Sequence, residues 1–236
     1  MSDAAEKRLS QLSERFSLDP LTRIRLLRLA EWSLEVEISG TAIEGRQSAV
    51  DRHIADSLVA VDLDEIRAAG RIVDIGSGLG FPGLALAAVL GAQVVLVDSV
   101  RKKMEAAARI AAELELDNVE CVWGRAEELA ESGSPHREAY DVVTARALAD
   151  LAVLVEYASP LLRTGGHLVA WKGSPEQSEI ESADSAAPHC SMAAPRRIAV
   201  NPFPGSERAL YMAEKTGPTP ANLPRRPGMA LKKPLA

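Results

Sequence analysis

Apolar positions near the start of the chain recur at spacings of three and four: Leu9, Leu12 and Phe16, then Ile24, Leu27, Ala30 and Leu34. That is the period of one helix face, so residues 4–38 are predicted to be helical. Asp19-Pro20 divides the segment in two. Asp19 suits an N-cap, and Pro20 suits the first helical position, where its missing N–H is no loss. A loop from Ser39 to Arg46 and a further helix from Ala49 to Leu63 follow.

From Gly70 the period changes. Short apolar runs alternate with helical patterns: strands at Arg71–Ile75, Gln93–Asp98, Val119–Val122, Tyr140–Thr144 and His167–Trp171, and helices at Phe81–Leu90, Lys102–Leu116 and Leu148–Leu162. Alternation of this kind implies right-handed crossovers and a mostly parallel sheet. Two last strands, around Arg196–Val200 and Arg208–Ala213, have no long helix between them and predict a terminal hairpin. From Thr216 the chain is rich in Pro, Gly and basic residues, and an extended or mobile tail is expected.

Composition narrows the class. The chain has 236 residues, of which 47% are hydrophobic and only 4% aromatic, so the core must be aliphatic. Ala, Leu and Val suit helices packed on a buried parallel sheet. Two cysteines form no disulfide framework and point to a reducing compartment. No basic start precedes an apolar run, and no apolar stretch reaches the ~18 residues of a membrane span. A soluble, cytoplasmic monomer is expected.

The net charge of −6 argues mildly against nucleic acid as a partner. Its distribution argues the other way. After residue 195, eight basic and two acidic residues leave +6, so the −6 of the whole chain puts −12 on residues 1–195. Arg225, Arg226, Lys232 and Lys233, set among Pro and Gly, are candidate RNA contacts.

The most informative segment is Val73-Asp-Ile-Gly76-Ser-Gly78-Leu-Gly80-Phe-Pro-Gly83, between a strand and a helix. Glycines there let a ligand approach the backbone. Gly78, Gly80 and Gly83 fit the dinucleotide fingerprint G-x-G-x-x-G, with Asp98 at the expected distance. Gly76, Gly78 and Gly80 instead fit Asp-x-Gly-x-Gly-x-Gly, which resembles motif I of class I methyltransferases. The second reading is preferred, because it includes Asp74 and because Pro82 removes an N–H that a pyrophosphate would use. Asp98 then suits the ribose hydroxyls of a nucleoside, with helix N-capping as its alternative.

Other chemistry finds little support. No Asn/Asp-Pro-Pro-Tyr cradle for an exocyclic amine follows the fourth strand; Thr144-Ala-Arg146 stands there. Cys121 lies in a strand, Cys190 has no activating neighbour motif, and four scattered histidines suggest no metal cluster. No Tyr-x-x-x-Lys supports a nicotinamide-dependent reductase. No residue is assigned a chemical role.

Several stretches together resemble one family. Ile75-Gly-Ser-Gly-Leu-Gly-Phe-Pro-Gly-Leu84, Val97-Asp-Ser99 with Arg101-Lys-Lys103, Gly124-Arg-Ala-Glu-Glu128, Val143-Thr-Ala-Arg-Ala147, Ala170-Trp-Lys-Gly173 and Arg52-His-Ile-Ala-Asp-Ser-Leu58 are similar to motifs of the bacterial 16S rRNA 7-methylguanosine methyltransferases, also called the glucose-inhibited division protein B family. The tail from Leu223 to Leu235 is similar to that of one branch. One departure is Ser33–Thr41, where the family usually carries an Asn-rich segment. The resemblance implies a class I methyltransferase: a Rossmann-like, doubly wound, mostly parallel seven-stranded sheet, with a helical extension over residues 1–64, a catalytic domain over 65–215 and a basic tail over 216–236. It implies S-adenosyl-L-methionine as donor and N7 of a guanine near the conventional position 527 of 16S rRNA, in the small ribosomal subunit, as acceptor. Cofactor contacts carry over to Gly76, Phe81, Ala126, Glu127 and Arg146, and the glycine motif itself adds Gly78, Gly80 and Asp98. Arg146 suits either the methionine carboxylate or an RNA phosphate, Lys172 is a further RNA candidate, and His53 reads as structural or as a substrate contact.

Overall fold

The computed structural model describes residues 4–36 and 45–235. Two helices open the chain, α1 (Ala4–Phe16) and α2 (Pro20–Glu35). Asp19 caps α2, its carboxylate accepting from the Leu21 and Thr22 N–H groups. The expected loop from Ser39 to Arg46 lies almost wholly outside the described residues. The helix expected from Ala49 to Leu63 is a chain of short turns: α3 (Arg46–Ala49), a π-helical turn (Val50–Ala55), α4 (Asp56–Leu58), a 3₁₀ turn (Val59–Asp62) and then α5 (Asp64–Arg67).

The remainder alternates strand and helix: β1 (Arg71–Ile75), α6 (Gly83–Val89), β2 (Gln93–Asp98), α7 (Arg101–Glu113), β3 (Val119–Trp123), α8 (Ala126–Leu129), β4 (Tyr140–Arg146), α9 (Leu151–Ala158), β5 (Leu162–Lys172), α10 (Gln177–His189), β6 (Arg196–Val200) and β7 (Arg208–Glu214). The seven strands lie in the order β3-β2-β1-β4-β5-β7-β6. β1 to β5 run parallel, and β7 is antiparallel to both β5 and β6. Winding therefore reverses between β1 and β4, and a crevice opens at the carboxyl ends of these strands.

Alternate residues of the parallel strands face two cores. Ile72, Leu96, Val142 and Val169 pack beneath the N-terminal helices, α6 and α7. Val73, Val95, Val143 and Leu168 pack beneath α9 and α10. Because both faces are covered, the strands read as continuous apolar runs.

Two expectations are corrected. The helix expected over Leu148–Leu162 is shorter: Asp150 is extended, with φ −68° and ψ 156°, so α9 starts only at Leu151, and β5 already begins at Leu162. The segment from Thr216 is not an extended or mobile tail. Leu223 and Ala230 are buried in the α9–α10 core, and a short helix, α11 (Met229–Lys232), closes the chain against α9. Lys215 anchors its start. This lysine is fully buried, and its ammonium donates to Glu138 Oε1, the Leu162 carbonyl and Thr219 Oγ1 at 2.8, 2.7 and 2.6 Å. All three donors are satisfied, as a buried ammonium requires.

Candidate active site

Two clefts open at the carboxyl ends of β1, β2, β4 and β5. The glycine turn after β1 borders the first, and both reach the turn after β4.

The glycine turn is built from positive φ. Gly76, Gly78 and Gly80 have φ of 63°, 59° and 90°, a region that L-residues avoid. Gly76 and Gly80 are also confined, because a Cβ would meet Leu148 at 2.5 Å in one case and Leu84 at 2.4 Å in the other. A Cβ on Gly78 would meet no protein atom within 4 Å. The space beside Gly78 is therefore open.

Asp74 decides between the two readings of the glycines. It is fully buried, its Oδ2 accepting from the Gly83 N–H at 2.9 Å and its Oδ1 from Thr144 Oγ1 at 3.0 Å. A carboxyl group thus occupies the start of α6, where a dinucleotide's pyrophosphate would have to sit. Gly83 is the packing glycine, since a Cβ there would lie 2.2 Å from Leu96 Cδ2.

Burial pushes the Asp74 carboxyl up to about 7, against the pull of the Gly83 and Thr144 hydrogen bonds. A raised folded pKa contributes stability that is present below the unfolded value, near 3.8, and lost as pH rises through about 7. Asp74→Asn keeps the shape and does not ionise. The melting temperature of the native protein, measured relative to that variant, should therefore fall between pH 4 and pH 8. A constant difference across that range would show that Asp74 ionises normally.

The first cleft has a volume of about 190 Å³. Gly76, Asp98, Ala126 and Glu127 line it, with Val97 and Leu148 as apolar walls. Asp98 is buried at the end of β2. Its Oδ2 accepts from the Gly78 N–H at 2.9 Å and its Oδ1 from the Val100 N–H at 2.8 Å. Both the ligand and the turn-capping readings thus have a physical basis, because each carboxylate oxygen retains a second lone pair. Ser77 Oγ, in the same turn, is buried with no hydrogen-bond partner.

The residues fit an adenosine-bearing cofactor: backbone exposed by glycine, an acid at the end of β2, an apolar slot beyond it, and an unpaired hydroxyl. Glu127 was expected at the adenine edge. It lines this cleft, with Oε1 accepting from the Gly228 N–H of the tail at 2.8 Å. Tyr157 lines the same cleft, and burial together with the Glu127 charge pushes its hydroxyl up to about 12. The tail's Leu231 forms part of the rim. Neither Tyr157 nor Leu231 was expected here, and their residue types carry no signal for it.

The second cleft is larger, about 500 Å³, and more basic. Arg52, Arg146, Lys172 and Arg208 line it, together with His53, Asp56 and Trp171. The π-helical turn aims Arg52 and His53 into it; such turns are rare and concentrate at functional sites. His53 stacks on Phe81 with ring centroids 4.4 Å apart and an interplanar angle of 20°. The Arg146 guanidinium lies over the Phe81 ring, 5.7 Å from its centroid, with Nη2 3.3 Å from His53 Nδ1. Arg146 donates to the Arg52 carbonyl at 3.0 Å and to Asp56 Oδ2 at 3.1 Å. Burial, with Arg146 and Arg52 close by, pushes His53 down to about 4, so its ring is neutral at physiological pH.

Of the other residues expected at the cofactor, Arg146 lines the second cleft rather than the first, and Phe81, stacked on His53, lines neither. Lys172 is tied down, donating to the Ala149 carbonyl at 3.1 Å and pairing with Glu179 at 2.5 Å.

The four tail cations separate. Arg226, Lys232 and Lys233 are exposed. Arg225 is turned inward, where the Glu156 carboxylate accepts from its Nε and Nη2. The expectation that all four reach freely outward is corrected for Arg225: a buried carboxylate needs a partner, and Arg225 supplies it.

The cysteines are far from nucleophilic. Burial pushes Cys121 up to about 11 and Cys190 up to about 12.

A sheet in the order 3-2-1-4-5-7-6 with one antiparallel strand, a glycine turn after β1 and an acid closing β2 define a class I S-adenosylmethionine-dependent methyltransferase. Solved structures share the fold. The O-methyltransferase TomG from Streptomyces achromogenes, in complex with the cofactor, aligns with a TM-score of 0.56 at 20% identity, over 82% of this chain and 90% of its own. Cofactor-bound Rv0187 from MTB aligns with a TM-score of 0.57 at 19% identity, over 91% and 98%.

Sequence comparison then gives the family. The profile of the rRNA small subunit methyltransferase G family matches residues 26–202, and the chain belongs to that family. Proteins named ribosomal RNA small subunit methyltransferase G from Deinococcus radiodurans and Roseiflexus castenholzii are 41% and 42% identical to it. The alignments cover 89% and 88% of this chain, and 83% and 87% of theirs.

Proposed function

We propose that this enzyme transfers the methyl group of S-adenosylmethionine to N7 of a guanine in 16S rRNA, near the conventional position 527, acting as a monomer in the cytoplasm. The observation that carries the reading is the pairing of the clefts. A narrow, glycine-floored, acid-lined cleft suits the cofactor. A wider one rimmed by Arg52, Arg146, Lys172 and Arg208 suits an anionic acceptor. The two meet at the turn after β4.

When bound, the cofactor supplies an electrophilic methyl group. Guanine N7 has a free lone pair at neutral pH, so this chain need not remove a proton. Its task is to bring the two reactants into line and exclude water, which can supply much of the rate. The side chains agree with that modest demand. His53 is neutral and occupied by stacking, the cysteines are protonated, and no acid–base pair faces the junction of the clefts among the described residues. The exposed Arg226, Lys232 and Lys233 remain candidates for contact with RNA phosphates.

Methylation of small-subunit RNA by the purified protein, mapped by borohydride–aniline cleavage, should give a single cut at 7-methylguanine. Methyl groups found only on an exocyclic amine, on C5 or on ribose would exclude the N7 assignment.

A further inference from the structure

Asp56 has a task that the fold leaves unfinished. It opens α4, directly after the π-helical turn, and only 7% of its surface is exposed. Its backbone carbonyl accepts from Trp171 Nε1 at 2.7 Å, and its Oδ2 accepts from Arg146 at 3.1 Å. Its other carboxylate oxygen, Oδ1, is buried and has no hydrogen-bond partner. The Arg208 Nε stands 3.7 Å away, beyond hydrogen-bonding distance. Buried carboxylate oxygens without a donor are rare because they are costly. Holding Arg146 requires only Oδ2, and Oδ1 keeps only the nearby charge of Arg208, with no hydrogen bond of its own.

Asp56 lines the acceptor cleft, and the half-exposed Arg208 side chain lines it beside Asp56 Oδ1. A ligand entering there meets one acceptor oxygen set among guanidinium donors. Guanine offers the matching edges. N1–H and the N2 amino group lie side by side as donors, while O6 and N7 are acceptors on the opposite side. Adenine presents a bare N1 lone pair beside its amino group, which a carboxylate would repel. Held by its N1/N2 edge, a guanine also leaves N7 directed away from Asp56.

We propose that Asp56 Oδ1 accepts hydrogen bonds from the N1/N2 edge of the acceptor guanine, so that Asp56 selects the base that is methylated. This rests on the reaction proposed above. The step involves no bond making; its effect is on the recognition that precedes transfer.

Inosine separates the possibilities, since it keeps N1–H, O6 and N7 and lacks only the N2 amino group. Small-subunit RNA carrying guanosine or inosine at the acceptor position would be assayed with labelled S-adenosylmethionine. A hydrogen bond to a charged acceptor implies that kcat/KM for guanosine exceeds that for inosine by about 10- to 100-fold in the native enzyme. In Asp56→Asn that ratio should fall to within about threefold. A merely structural role for Asp56 would lower both rates and leave the ratio unchanged. Equal rates on the two RNAs in the native enzyme would overturn the inference whether or not the variant folds, and so would a ratio that survives in Asp56→Asn. Absence of any methyl transfer to the guanosine RNA would instead overturn the reaction itself, and the inference with it.

Discussion

Gly78→Val is expected to weaken binding of S-adenosylmethionine or its demethylated product by at least about 100-fold, and to do so in a protein that still folds. Two properties of Gly78 lead there. Its φ is 59°, so a β-branched residue is strained by roughly 1–2 kcal/mol. A protein of this size tolerates that loss. The direction in which a Cβ would point holds no protein atom within 4 Å. The added isopropyl group therefore projects outward from the turn, where the proposed cofactor would approach the backbone, rather than into the fold. Gly83→Ala is the contrasting case. Its φ is not positive, but its Cβ would lie 2.2 Å from Leu96 Cδ2 and 3.0 Å from Asp74 Oδ2. Overpacking of that kind costs about 1–3 kcal/mol, so Gly83→Ala should lower the melting temperature while leaving cofactor affinity near that of the native protein below the transition. Calorimetric titration with S-adenosylhomocysteine, beside thermal melts, reads both. Binding by Gly78→Val within about threefold of native would mean that the glycine serves only the turn.

Much of this was legible in the residue order. The strands and their parallel winding followed from apolar runs that stay apolar on both faces, and Asp19-Pro20 marked the break between α1 and α2 correctly. The glycine turn announced a ligand through the number and placement of its glycines. What escaped has physical reasons. α10 buries only Ala183, Ala186 and Ala187 and contains Pro188, so it lacks the large-residue periodicity by which a helix is recognised. It matters nevertheless, because Glu179 on it holds both Lys172 and the Leu151 N–H. The preference for one reading of the glycines rested on Asp74 and Pro82 as residue types, and the bond from the Gly83 N–H to Asp74 gives it a geometric basis. The basic character of the C-terminal segment was legible as a count but misleading as a surface. Lys215 and Arg225 are turned inward to Glu138 and Glu156, while Arg196 and Arg208 face Glu65 and Asp56. Local composition cannot reveal partners that lie many residues away in the chain.

Arg225→Ala is expected to destabilise the protein by about 3 kcal/mol, an effect that the reading of the tail as free RNA-binding charge does not foresee. Arg225 Nε and Nη2 donate to the two Glu156 carboxylate oxygens at 2.7 and 2.5 Å, and Nη2 also reaches the Lys233 carbonyl at 2.8 Å. Glu156 is only 3% exposed. Removing one partner of a buried pair strands the other charge, which costs about 3–5 kcal/mol. The lower end applies because the guanidinium itself reaches the surface. For a chain of this length the melting temperature should drop by about 6–12 °C. Arg225→Lys should recover little, since a point charge cannot match the bidentate geometry. Combining Arg225→Ala with Glu156→Gln should cost less than the sum of the single changes, because the stranded charge is gone. The consequence extends to the cofactor cleft. Arg225 holds the segment that places the Gly228 N–H on Glu127 and Leu231 at the rim. Loosening that segment should therefore weaken cofactor binding as well, by roughly the several-fold that a lost hydrogen bond and a lost apolar contact imply. Thermal melts and titration with S-adenosylhomocysteine test both parts. A variant that melts within about 1 °C of native and binds the cofactor equally well would return Arg225 to the role of a surface charge available to RNA.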